Sequence, residues 1–150
     1  MSDDGTLSLK VLSKKECEIL RVIGCRIIPQ AKKAPQIDLA QRIDTVLVDV
    51  QQQMRKEFKL LLVVFEYGAP LLGLTWKPFT SISEVEQDNY LAGWERSRLP
   101  FKRMGFQVLK RSVLAAYYGS EWSWKQIGYR GPWLTKGYPH NYAGTGIQIP

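Results

Sequence analysis

"SKKECEILRVIGCRIIP", residues 13–29, carries a start signal, a period and a stop signal within one short stretch. The Ser13 hydroxyl can accept a hydrogen bond from the amide three positions on while Glu16 reaches back to the Ser13 amide, the reciprocal capping box of a helix N-terminus. Apolar residues follow at helical spacing, Leu20, Ile23 and Ile27, with Ile19 and Val22 widening the stripe. Pro29 then stops the helix, because the residue before a proline disfavours the α region. The spacing predicts a helix over about 14–28, and the same signals repeat along the rest of the chain.

After the loop "QAKKAP", the residues Ile37, Ala40, Ile43, Leu47 and Val50 recur every three or four positions between polar neighbours, which predicts an amphipathic helix over about 36–52. From about Arg55 to Tyr67 the residues after Phe58 are apolar almost all round. That pattern reads as a buried helix, with a strand through "LLLVVF" as the alternative. Gly68, Pro70, Gly73 and Pro78 punctuate a loop. Ser83 to Glu86 then repeats the capping box, with Ile82 as its staple residue, and predicts a fourth helix to about Ser97. Pro100 opens a fifth, over about 101–118, whose small residues Gly105, Ser112 and Ala116 would permit close packing. From Gly119 onward glycine and proline recur without a helical period. The expected fold class is therefore all-α: a helical domain of about five helices over residues 1–118, and an irregular, glycine- and aromatic-rich arm over 119–150 that packs on the helices and on a partner.

Composition agrees with one globular domain. The chain has 150 residues, 45% hydrophobic and 23% charged, a length that buries roughly two-thirds of the unfolded surface. Its 21 Lys and Arg outnumber 14 Asp and Glu, for a net charge of +7. Six cations, Arg96, Arg98, Lys102, Arg103, Lys110 and Arg111, fall in one stretch without a carboxylate, which is either a solvated helix face or a site for an acidic partner. Cys17 and Cys25 lie eight residues apart on the first helix, about 12 Å along its axis, so they cannot pair with each other. Buried thiols are the ordinary reading; a bridge to a partner chain is the other. The N-terminal residues form neither a secretory signal nor a twin-arginine motif, so the expected location of the chain as it stands is cytoplasmic, and periplasmic only by export with a signal-bearing partner. The most apolar run, "LLLVVFEYGAPLLGLTW", is interrupted by Glu66, Gly68 and Pro70 and predicts core rather than a membrane span.

Catalytic chemistry finds little to work with. His140 is the one histidine, and a lone imidazole without a defined nucleophile or further ligands is neither a triad nor a typical zinc site. Glu84 with Glu86, and Glu16 with Glu18, sit at a two-residue spacing that points them apart on a helix. "GTG" at 144–146 is not followed by the helix that a phosphate loop needs. No catalytic, cofactor-binding or metal-ligating residue is therefore expected in this chain. A basic, aromatic chain can also bind nucleic acid by stacking and phosphate contacts, and a free-standing basic helical nucleic-acid binder is the alternative reading.

The order of these motifs resembles the gluconate 2-dehydrogenase subunit 3 family, the small subunits of flavin-dependent GMC-type oxidoreductases. Leu12, Ser13, Glu16, Leu20, Ile23 and Arg26 to Pro29 match the family's opening helix, and Ala34-Pro35, Ile43-Asp44 and Leu47 its second. "LKRSVLAAYYGSEWSWKQIGYRGPW", residues 109–133, is similar to its terminal block. Arg130 stands where proline is often found, no twin-arginine signal precedes the match, and residues 134–150 extend beyond the resemblance. The resemblance implies a non-catalytic accessory subunit that binds and stabilises a large FAD-dependent dehydrogenase acting on sugars or alcohols. FAD would sit in that partner and no cofactor in this chain, with a cytochrome c subunit as a further member the complex could include; nucleic acid and a membrane span are not expected. On this reading the aromatic arm supplies the contact. Trp122, Trp124, Tyr129, Arg130, Trp133, Tyr138 and Tyr142 are the candidate partner-binding residues, since Trp, Tyr and Arg dominate interface hot spots.

Overall fold

The computed structural model describes residues 9–34, 37–71 and 76–130. Six α-helices are found there: α1 (Lys14–Ile27), α2 (Leu39–Leu47), α3 (Gln52–Leu71), α4 (Glu84–Glu95), α5 (Pro100–Tyr118) and α6 (Glu121–Gln126). Two short 3-10 turns, Pro29–Lys33 and Phe79–Ser81, lie between them. No strand occurs among the described residues, so the "LLLVVF" segment is helical. Both capping boxes form, at Ser13 with Glu16 and at Ser83 with Glu86. His140 and the last twenty residues of the arm lie outside the described residues.

α2 is shorter than its apolar period suggests, and the reason is local. The Asp38 carboxylate accepts from the Ala40 and Gln41 amides, which fixes the helix start beyond Ile37. At the other end the amides of Val48, Asp49 and Val50 donate three residues back, tightening the chain into turns. The Arg55 guanidinium donates to the Val48 and Val50 carbonyls, so the first turn of α3 holds the corner.

α1 is the hub. It packs against α2, α3, α4 and α5, and its Cys17, Ile19, Leu20 and Ile23 are buried. Gly24 lies at the α1–α2 contact, where a Cβ would stand 2.5 Å from Leu39 Cδ1 and the leucine side chain would have to shift. Beneath α3 and α4 sits an aromatic cluster. Phe65 has its ring centroid 4.8 Å from those of Phe79 and Trp94 and 5.1 Å from that of Tyr90, and the Tyr90 hydroxyl donates to the Phe65 carbonyl.

Two buried carboxylates tie the layers together, each with its acceptors used. Asp44 accepts from the Lys10, Val11 and Leu12 amides at 2.7–2.9 Å, pinning the segment before α1 onto α2. Glu66, wholly buried on α3, accepts from the amide and hydroxyl of Thr80 and lies 3.2 Å from Lys15 Nζ on α1.

Candidate partner-binding surface

α3 is where sequence and structure part. Phe58, Leu62, Phe65 and Ala69 bury one side of it, as its helical period requires. The opposite side carries Leu60, Val63, Val64 and Tyr67, spaced to form a second apolar stripe, and these are 62%, 45%, 41% and 52% exposed. The expectation of a helix buried all round is thus met on one side only. The correction has a geometric cause: α3 packs chiefly on α1 and the Phe79–Ser81 turn, and the described residues leave its outer face largely open to solvent. A helix at the surface of a self-sufficient domain would place polar residues there.

Beside this face lies an apolar groove of about 780 Å³ between α2, α3 and α5. Leu47, Phe58 and Ile43 form its floor and Val46, Met54, Leu61 and Val108 its walls. One end closes where α5 meets α3 at Gly105, at which a Cβ would lie 2.7 Å from Leu61 Cδ1 and 3.2 Å from Trp94 Cζ3. Farther along, Ser112 and Ala115 of α5 border open space rather than α3. Val46, Met54 and Val108 are exposed, so three large apolar side chains face water there.

The polar groups around the groove stand at its edge. Thr45 and Ser112 give their hydroxyl protons to carbonyls of their own helices, those of Gln41 and Val108. Arg42 donates to the Gly119 carbonyl, while Glu57 accepts from Gln53. Arg111 has no hydrogen-bond or ion-pair partner among the described residues.

The aromatic arm begins more regularly than its composition announced. Ser120 caps α6 by accepting from the Ser123 amide, and its hydroxyl donates to the Tyr117 carbonyl. Gly128 ends the turn after α6 with φ +69°, a left-handed conformation that glycine adopts freely. Trp122 is half-buried against the core, its ring edge-on to Tyr117 at 6.2 Å. Trp124 donates its indole N–H to the Tyr118 carbonyl at 2.6 Å and meets the Tyr129 ring edge-on at 5.5 Å. Tyr129 and Arg130 are exposed. The remaining candidates, Trp133, Tyr138 and Tyr142, lie outside the described residues.

The basic stretch is partly engaged. Lys110 pairs with Glu95, Arg103 donates to the Ser97 carbonyl, and Lys102 lies 5.8 Å over the Trp94 ring. Burial pushes both thiols, Cys17 and Cys25, above the ordinary cysteine value, the opposite of what an activated nucleophile needs. Among the described residues no group of three His, Cys, Asp or Glu side chains could hold a metal ion, and no helix is long and apolar enough to cross a membrane. A family model described as gluconate 2-dehydrogenase subunit 3 matches residues 14–139. No curated protein and no solved structure matches the chain.

Proposed function

Since the chain belongs to the gluconate 2-dehydrogenase subunit 3 family, we propose that it is a non-catalytic accessory subunit that binds and stabilises a large FAD-dependent oxidoreductase of the GMC type acting on sugars or alcohols. The flavin, the substrate pocket and the general base belong to that partner, which hands electrons onward, with a cytochrome c subunit as the acceptor that fits such a complex. The observation that carries this reading, beside the family, is the outer face of α3. Four large apolar side chains at helical spacing stand open to solvent on a helix whose other side is core. Covering such a face on association is the main source of stability in permanent assemblies, whose interfaces exceed roughly 2,000 Å².

Tagged full-length chain, produced in its native cell, should bring down a flavoprotein with the visible absorbance of flavin and with dehydrogenase activity. The isolated chain should have neither. His140→Ala should leave the activity of the assembled complex unchanged; a loss of about 100-fold with assembly intact, the size expected for removing a general acid or base, would show that this chain does chemistry. If the wild-type chain brings down no flavoprotein, the reading fails.

A further inference from the structure

We infer that the groove between α2, α3 and α5 is the seat of one amphipathic helix of the flavoprotein subunit, apolar on the side that enters and acidic along the edge that faces α5. This inference rests on the accessory-subunit reading and deepens it by naming what the partner must present.

A small ligand is a poor match for the groove. Binding pockets for small molecules combine apolar walls with a few polar groups aimed inward to fix orientation. Here the two hydroxyls near the walls, of Thr45 and Ser112, are already spent on carbonyls of their own helices. The charged groups stand at the rim. Leu60 and Val64 of α3 and Met104 of α5, on the same two helices but outside the groove's lining, are exposed apolar side chains as well. A trough lined by three helices suits the helix-in-groove mode, in which side chains at i, i+3, i+4 and i+7 drop into one slot.

Charge at the rim selects the occupant's edges. Arg111 on α5 has no carboxylate partner among the described residues, and Arg42 on α2 has only the Gly119 carbonyl. Glu57, on α3, lines the same groove. An entering helix with Asp or Glu toward α5 and α2 and a cation toward α3 would answer all three, and the asymmetry fixes its register. An uncharged apolar helix would leave Arg111 unpaired as it became desolvated.

The test uses the complex captured by tagged wild-type chain. Val108→Glu and Val46→Glu alter side chains that are exposed in this chain, so the isolated variants should melt as the wild type does. Each should weaken capture of the flavoprotein by about 30-fold or more. Arg111→Glu should weaken it by about 10-fold and remove most of its salt dependence at that site, while Val85→Glu, on the exposed side of α4, should leave it unchanged. Carbodiimide coupling of the R111K variant within the complex should join it to a carboxylate in a helical, amphipathic peptide of the flavoprotein. Normal capture by both groove variants overturns the inference and leaves the accessory-subunit reading standing; no capture by the wild type overturns both. Two further outcomes overturn the inference alone: a wild-type dimer that Val108→Glu converts to monomer, which assigns the groove to a second copy, and a small apolar molecule retained in native mass spectra and lost from that variant.

Discussion

The outer face of α3 and the aromatic segment around α6 both show large apolar side chains to solvent, but they differ in what those side chains already have. Around α6 the rings find one another and the chain's own backbone: Trp122 lies on the core, and Trp124 is hydrogen-bonded to the Tyr118 carbonyl and stacked edge-on with Tyr129. On α3 the side chains are mostly aliphatic, and the described residues leave them largely open to solvent. Aromatic density in a sequence therefore says that something will be covered, without saying by what. A helix that is apolar all round and covered on one side says more, because the described residues leave its second stripe largely open to solvent.

The sharpest way to break this contrast is to truncate each side of α3 in turn. Phe65→Ala removes the ring at the centre of the aromatic cluster and should cost the isolated chain about 3–5 kcal/mol, enough to leave it largely unfolded. Leu60→Glu with Val64→Glu should do the reverse. Surface substitutions of this kind stay within about 0.5 kcal/mol each, so thermal melts of the isolated double variant should match the wild type within a few degrees while the complex is lost. If the double variant unfolds the isolated chain, α3 is covered by this chain itself and the contrast disappears.

Asp44 tests the frame that holds the floor of the groove. Asp44→Ala strips the acceptor from three amides, of which Leu12 is buried, and should cost about 2–3 kcal/mol in chemical denaturation. The same residue sets an acid limit. Burial pushes its carboxyl up, but the donations from Lys10, Leu12 and Val11 together outweigh this and hold it below the ordinary aspartate value. Its stabilisation is then whole above the unfolded-state value, about pH 4, and is lost as pH falls through the lower folded-state value. Asp44→Asn should flatten that acid limb; an unchanged limb would place the acid sensitivity elsewhere, with Asp38, which the Arg21 ion pair also holds low against its burial, as the next group to replace.

How much of this was legible depended on the distance over which each interaction acts. The capping boxes at Ser13 and Ser83, the stop at Pro29 and the start at Pro100 are written in neighbouring residues, and the helices start and end close to where those residues place them. Asp38 shortens α2 by a local bond too, but its signal competed with an apolar period that runs past it. Glu66 was not legible as a buried carboxylate. Its partners come from Lys15 and Thr80, and spacing within α3 carries no trace of either. The groove was still further from view, since it exists only where α2, α3 and α5 fail to close on one another. Its one trace in the sequence was the excess of apolar residues on α3, which reads as burial within the chain.

The smallest expected effects separate the two tryptophans of α6. Trp122→Ala removes a half-buried ring from the core and should destabilise the isolated chain by about 2 kcal/mol. Trp124→Phe keeps a ring edge-on to Tyr129 and removes only the indole N–H donated to the Tyr118 carbonyl. A single neutral hydrogen bond is worth about 1 kcal/mol, and less where water can replace it, so the melting temperature should fall by about 2–4 °C. The same pair of variants reads the interface. A ring used only by the fold weakens capture of the flavoprotein no more than its loss of folded chain accounts for. A ring that also anchors the partner weakens it by a further 30-fold or so after that correction. The contrast with α3 predicts the first result for Trp122, whose face is already spent on the core, and leaves the second to Trp124 with Tyr129, whose outer edges are still open; a Trp124→Ala variant that captures the partner at full strength would confine the interface to α3 and the groove.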